Sequence, residues 1–310
     1  MNKVVKFNKC KVGHRHYLGA EIKLSLIYND KHYMVKFPKS LKEKQNDLNS
    51  NYANNVFSEY IGCHIFQSIG VDAQNTVLGT YTVAGNEKIV VGCEDFTTEE
   101  YRLHEFQGFQ NSFLDSETIG RTPVLEDLIK LFDKHEGLTI REEAKRRYWD
   151  TFVIDALLGN FDRHSANWGY LVDEKTGDME LAPVFDCGSC LYPAISDASI
   201  PQILNSDKEI DKRIYQFPKA ALKVRGEKIG YHQFFEEEAN KDCDEALMRI
   251  VPRIDMGDIK LIVDETPMLS DIRKDFLKTM LEKRYEKIIV PVYRRVLTRN
   301  RRLERTVPIR

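Results

Sequence analysis

A polar loop, Gly159-Asn-Phe-Asp162-Arg-His164-Ser-Ala-Asn167, constrains the fold of this chain more than any other segment. A helix-patterned run, Ile140–Leu158, leads into it and stops at Gly159. Two short strand-like runs follow, Trp168–Val172 and Glu180–Val184, around the turn Glu174-Lys-Thr-Gly177. The second run passes into Pro183-Val-Phe-Asp186, so another acidic residue arrives 24 positions after Asp162. The order is helix, polar loop, hairpin, second acidic motif.

These residue types meet the needs of phosphoryl transfer. An attacking hydroxyl needs a positioned carboxylate to accept its proton. A triphosphate such as ATP needs Mg²⁺, held by hard oxygens from a second carboxylate and an amide carbonyl. Asp162 suits the first role, and Asn167 with Asp186 the second. Asp and Asn are also common turn and cap formers, so the pair alone says little. The spacing Asp-x-x-x-x-Asn, hairpin, Asp resembles the protein-kinase pattern. Asp-Arg-His stands here in place of His-Arg-Asp, and Asp186-Cys-Gly188 in place of Asp-Phe-Gly.

Other required parts occur upstream in order. Lys36 lies in the otherwise apolar run Tyr33-Met-Val-Lys36-Phe, where a charge needs a partner. It is the candidate for gripping the α- and β-phosphates. Glu59, between Phe57 and Tyr60 on the next helix-patterned run, is its candidate partner, and Asp47 in a polar loop is the alternative. Gly13 and Gly19 flank a candidate phosphate-covering loop, in which Gly19-Ala20-Glu-Ile-Lys23 offers backbone N–H groups and one lysine. Val90-Val-Gly-Cys-Glu94-Asp-Phe96 is a candidate hinge.

Patterning around these parts changes character once. Residues 18–37 alternate as a β-hairpin about Asn29-Asp30, with strands near 20–28 and 32–37 and Pro38 ending the second. A polar loop is expected over 39–51, then a helix from Tyr52 to Ile69 closed by Gly70. Strands return at about 76–84 and 87–92. After Phe96 helices dominate, at Pro123–His135, Ile140–Leu158, Tyr231–Ala239, Asp242–Val251 and Asp271–Arg302, the last kinked at Pro291. The hairpin after the polar loop is the one expected β interruption. The expected fold class is therefore α+β and protein-kinase-like. A small β-rich N-lobe spans 1–96, a larger helical C-lobe spans 97–310, and the nucleotide cleft lies between them.

A net charge of -2 over 310 residues excludes general polyanion binding, so no sequence-specific nucleic acid is expected as partner. The stretch Arg294–Arg310 is nonetheless strongly basic. It reads first as a solvated helix face, with a docking patch for an acidic partner or a membrane surface as the alternative. No signal-peptide pattern and no run of about 20 apolar residues is present, so a cytoplasmic chain is expected. The six cysteines are scattered as reduced thiols, and the lone Cys187-Gly-Ser-Cys190 lacks a second pair of metal ligands.

With these residues in place, the chain resembles the HipA-like serine/threonine kinases. Gly159–Asn167 looks like that family's GN-x-D-x-H-x-x-N loop, and Pro183-Val-Phe-Asp186 like its P-x-Y-D motif. Met34-Val-Lys36-Phe-Pro38 is similar to its I-K-L-P strand, Gly19-Ala20-Glu-Ile-Lys23 to its phosphate loop, and Glu94-Asp-Phe96 to its E-R-F hinge. The resemblance implies that Asp162 is the catalytic base and that His164 and Asn167 complete the nucleotide and metal site. It implies Asp186 as the Mg²⁺ ligand, Lys36 as the phosphate ligand, and the backbone of Glu94 and Phe96 as the adenine contacts. Full-length HipA-like chains carry an extra N-terminal region, and the family's phosphorylatable serine falls on about His16 here. The compact chain is similar to stand-alone, cell-translocating members, which implies delivery into other cells.

The expected function is ATP- and Mg²⁺-dependent transfer to serine or threonine of a protein substrate, by a monomer that also phosphorylates itself. Ser189, Ser196 and Ser199 lie where an activation segment would run. Asp-Arg-His-x-x-Asn is also similar to the loop of phosphoinositide kinases, so a lipid or small-alcohol kinase is the alternative. A non-catalytic nucleotide-binding protein of the same fold is the third reading.

Overall fold

The computed structural model describes residues 4–17, 23–38, 54–114, 122–134 and 139–306. Gly19 and Ala20 of the expected phosphate loop, Asp47 and the polar stretch 39–51 lie outside the described residues. Two short strands open the chain, β1 (Val5–Lys6) and β2 (Lys11–Val12). Two residues give no alternation to read, so the sequence does not announce them. β3 (Lys23–Tyr28) and β4 (Lys31–Lys36) form the expected hairpin. Its turn places Asn29 at φ 49° and Asp30 at φ 60°, the two positive values that a tight hairpin of this twist needs. Helix α1 (Asn55–Ser68) follows, then the long hairpin β5 (Thr76–Val83) and β6 (Asn86–Glu94). Together the strands make a six-stranded sheet in the order β1-β5-β6-β4-β3-β2.

Beyond the sheet lie β7 (Tyr101–Glu105), α2 (Phe106–Phe113), α3 (Leu125–Lys134) and α4 (Arg141–Leu158). β8 (Gly169–Asp173) and β9 (Met179–Leu181) are the hairpin expected after the polar loop. β7 adds to it as a third strand, in the order β7-β8-β9. Short helices α5 (Ile200–Leu204) and α6 (Asp207–Asp211) precede a second hairpin, β10 (Lys219–Val224) and β11 (Glu227–Gly230). The helical part thus holds more β structure than the single interruption expected. The run Lys219-Ala-Ala-Leu-Lys-Val224 is short and apolar without clear alternation, a pattern that periodicity cannot assign.

The chain ends in α7 (Tyr231–Glu237), α8 (Lys241–Ile250), α9 (Met256–Asp264), α10 (Asp271–Arg284) and α11 (Val290–Thr306). Between α10 and α11 the backbone widens into a π-helical turn over Tyr285–Ile289. Pro291 explains the irregularity, because it lacks an N–H for the preceding turn and its ring crowds the carbonyl four residues back. The basic tail is partly used inside the chain: Arg295 pairs with Glu236 at 2.6 Å, and Arg299 with Asp244. Among the described residues no helix is long and apolar enough to cross a membrane.

One apolar cluster runs through α1, the β5–β6 hairpin and the helices, with Phe66, Trp149, Leu157, Phe234 and Phe276 buried in it. A smaller cluster around Phe7, Tyr33, Val35 and Val90 belongs to the six-stranded sheet. Arg284 crosses the larger core. Its Nε donates to Ala156 O at 2.8 Å in the last turn of α4, and its guanidinium also donates to Arg213 O at 3.1 Å and Tyr192 Oη at 3.3 Å. It thereby ties α10 to the helix that carries the polar loop. Arg284→Met leaves those buried acceptors without their charged donor. The expected loss is about 2–4 kcal/mol of unfolding free energy in urea denaturation, and a loss under about 1 kcal/mol would show that the tie is redundant.

Candidate active site

The polar loop begins where α4 runs out. Gly159 takes φ 67°, a left-handed turn that closes the helix with its N–H on Asp155 O. Asp155 itself lies within the apolar run Phe152-Val-Ile-Asp155-Ala-Leu-Leu and is buried. It accepts from Asn160 Nδ2 at 3.0 Å and from Arg163 Nε at 3.0 Å. Asn160 Oδ1 in turn accepts the Asp162 N–H at 3.0 Å, and Asn167 Nδ2 donates to Asp162 O at 2.7 Å. The loop is therefore laced to its own helix before any ligand is considered.

Arg163 is the centre of that lacing. Besides Asp155 it donates to Asn167 O at 3.0 Å, to Phe185 O, and to Cys187 Sγ at 3.3 Å. One guanidinium therefore joins helix end, polar loop and the acidic motif around Asp186. Burial works against its charge, but its neighbours, Asp155 foremost and then Cys187, more than offset this, and the arginine is held well above its ordinary pKa. Ser165 Oγ donates to Gln110 Oε1 of α2, which anchors the other side of the loop.

The structure brings Lys36, Glu59 and Asp186 together. Lys36 Nζ stands 2.9 Å from Glu59 Oε1 and 3.0 Å from Asp186 Oδ1. Burial disfavours the ammonium, yet the Asp186 and Glu59 carboxylates raise the Lys36 pKa well above its usual value. Burial pushes the Glu59 carboxyl up, with Lys36 opposing the shift. A Cβ on Gly188 would stand 3.1 Å from Glu59 Oε2, so the backbone after Asp186 approaches this carboxylate more closely than most side chains allow. Asp186 adopts φ 56°, a left-handed conformation that Asp tolerates better than most residues.

Other expected site residues fall nearby or are already engaged. Lys23 faces Lys36 across the β3–β4 ladder, so the two lysines share one face of the sheet. His164 Nδ1 accepts the Ala166 N–H at 3.2 Å, which in the neutral ring leaves the proton on Nε2. That nitrogen lies 3.8 Å from Asp162 Oδ1. At the hinge, Glu94 N–H donates to Asn75 O at 2.8 Å, and Glu94 O accepts from Gln74 Nε2 at 2.9 Å. The amide is thus committed, and the carbonyl already accepts one of the two bonds it can take. The ring of Phe96 lies 5.7 Å from that of Phe185, next to Asp186.

The donor set fits Mg²⁺. Asn167 commits its amide nitrogen to Asp162 O, so its oxygen is the end left for a cation. Asp186 keeps 41% of its side-chain surface exposed. Among the described residues no group of three or more His, Cys, Asp and Glu could hold a metal, so any Mg²⁺ here needs further oxygens from a ligand or water, its usual habit. Sequence reasoning overlooked Asp155, Asn160, Arg163 and Gln110. Asp155 alone carried a signal, as one carboxylate within an apolar helical run.

The chain is similar to known proteins. A family model described as the HipA-like C-terminal domain matches residues 17–254. The chain is 42% identical over 296 residues to the serine/threonine-protein kinase CtkA of Helicobacter pylori strain J99, covering 94% of this chain and 89% of that protein. It superposes on the crystal structure of a Helicobacter pylori proinflammatory kinase, CtkA, with a TM-score of 0.88 and 41% identity, covering 99% of this chain and 100% of that one. HipA in a HipA–HipB–operator DNA complex from Shewanella oneidensis MR-1 shares the fold at a TM-score of 0.51 and 18% identity, covering 92% of this chain and 67% of that one.

Removing the carboxylate at the base of the loop tests the lacing. Asp155→Ala leaves the Arg163 guanidinium buried without its counter-charge, and the expected cost is about 3–5 kcal/mol of stability in chemical denaturation. A cost below about 1 kcal/mol would mean that Arg163 is held by its carbonyl partners alone.

Proposed function

The chain belongs to the HipA-like C-terminal domain family, and on that premise we propose that it is a serine/threonine protein kinase that uses ATP and Mg²⁺. The observation that carries the reading is the convergence of Lys36, Glu59 and Asp186 beside the loop that holds Asp162 and Asn167. The reading takes the chain as two lobes, 1–96 and 97–310, with the nucleotide between them.

Each residue then has a physical task. Lys36 and Lys23 on one sheet face suit a polyphosphate, because two like charges side by side are relieved by an anion. Glu59 keeps the Lys36 amine in position while phosphate oxygens take the place that Asp186 holds on it in this structure. Asp186 and Asn167 are the donors that would hold Mg²⁺, which when bound neutralises charge on the phosphates. Asp162 accepts the hydroxyl proton of the acceptor as the γ-phosphoryl group passes from the ADP oxygen to the serine or threonine oxygen. His164, with its Nε2 toward that carboxylate, helps to orient it. The second lone pair of the Glu94 carbonyl suits the adenine amino group, with Phe96 beside it. Gly19 and Ala20 would cover the phosphates. Ser196 and Ser199, an exposed pair 2.9 Å apart, suit self-phosphorylation.

Two substitutions separate the roles. Asp162→Asn should lower kcat by about 10²–10⁴-fold with ATP affinity and circular dichroism unchanged. Asp186→Asn should in addition weaken Mg²⁺-dependent ATP binding in titration calorimetry, and by more than Asp162→Asn does. Either variant retaining near-normal peptide phosphorylation would refute its assignment.

A further inference from the structure

The two aromatic side chains that are largely exposed, among the described residues, sit in one short segment: Tyr215 at 40% and Phe217 at 49%. That segment packs against the polar loop. The ring of Phe217 lies 5.8 Å from that of Phe161, which immediately precedes Asp162. Pro218 stands against Gly159, where an added Cβ would come within 3.0 Å of its Cγ. Tyr231 donates its hydroxyl to Asn160 O at 2.6 Å and braces the same stretch from the other side. An aromatic pair thus sits beside the loop that carries Asp162, although neither ring has a task in the chemistry.

We propose that Phe161 and Phe217 form a platform for an apolar side chain of the protein substrate, within about three residues of the phosphorylated serine or threonine. This rests on the kinase reading above. The acceptor hydroxyl must come within hydrogen-bond reach of Asp162. An extended peptide advances about 3.3 Å per residue, so the neighbours of the acceptor must pass over whatever borders that carboxylate. The border here is aromatic and braced, and a pre-ordered aromatic surface favours an apolar side chain without ordering new groups. Covering these rings removes apolar surface from water, which favours an apolar partner there. The substrate class is therefore a protein segment with a large apolar residue close to its acceptor.

The test uses the full chain with ATP, Mg²⁺ and a positional-scanning peptide library in which each member carries one fixed serine. Large apolar residues should be favoured about tenfold over alanine or aspartate at one position within three of the serine. Phe217→Ala should flatten that position to less than about threefold, with preferences elsewhere and the KM for ATP unchanged. Phe217→Leu should retain most of the preference. A library labelled evenly at every flanking position, or a preference that survives Phe217→Ala, overturns the platform and leaves the kinase reading standing. A wild-type chain that labels no peptide and no protein overturns the kinase reading and the platform with it.

Discussion

A lysine with only 5% of its surface exposed cannot remain charged at the end of a strand without counter-charges, and the structure is arranged around that requirement. Lys36 finds Glu59 on α1 and Asp186 after β9, so a single cation joins the six-stranded sheet, its helix and the acidic motif of the helical part. Desolvating such a cluster costs several kcal/mol, and its attraction offsets this only while all partners are present. Stability alone is thus a poor reason for its existence. On the proposed reading the better one is a site for a polyanion, whose phosphate oxygens would exchange with Asp186 at the same amine.

The second constraint is on the loop that faces this cluster. On the proposed reading Asp162 and Asn167 must be fixed relative to Asp186, and buried groups do the fixing. Arg163 binds the helix end through Asp155, the loop through Asn167 O, and the acidic motif through Phe185 O. Arg284 then holds the helix end from behind through Ala156 O. The inverted order Asp-Arg-His acquires a meaning from this. Its central arginine faces inward as the brace, while the residues on either side stay partly exposed. The same loop carries Phe161, whose ring lies 5.8 Å from that of Phe217.

Local patterns carried the parts of this that depend on local rules. Asn29-Asp30 marked a tight hairpin, Gly159 marked a helix end, and a lysine in an apolar strand asked for an acid. Each is a statement about a few adjacent residues. Asp155 was legible only as an oddity and Arg163 not at all, because the arginine's meaning lies in contacts with Asp155 and with the carbonyls of Asn167 and Phe185. β10 escaped notice because a short apolar run looks alike as helix or strand, and β7 and β11 because they are short and rich in charged residues. At the expected hinge the Glu94 amide donates to Asn75 O, a pairing that residue types do not reveal. Gly19 and Ala20 lie outside the described residues, so the phosphate loop rests on sequence alone.

Phosphoamino-acid analysis tests the central claim most directly. The wild-type chain is incubated with γ-labelled ATP, Mg²⁺, a mixed protein pool and lipid vesicles, and an identical sample contains EDTA. The account expects phosphoserine and phosphothreonine in the protein fraction, lost when the metal is chelated. Label confined to lipid or to inorganic phosphate would contradict it.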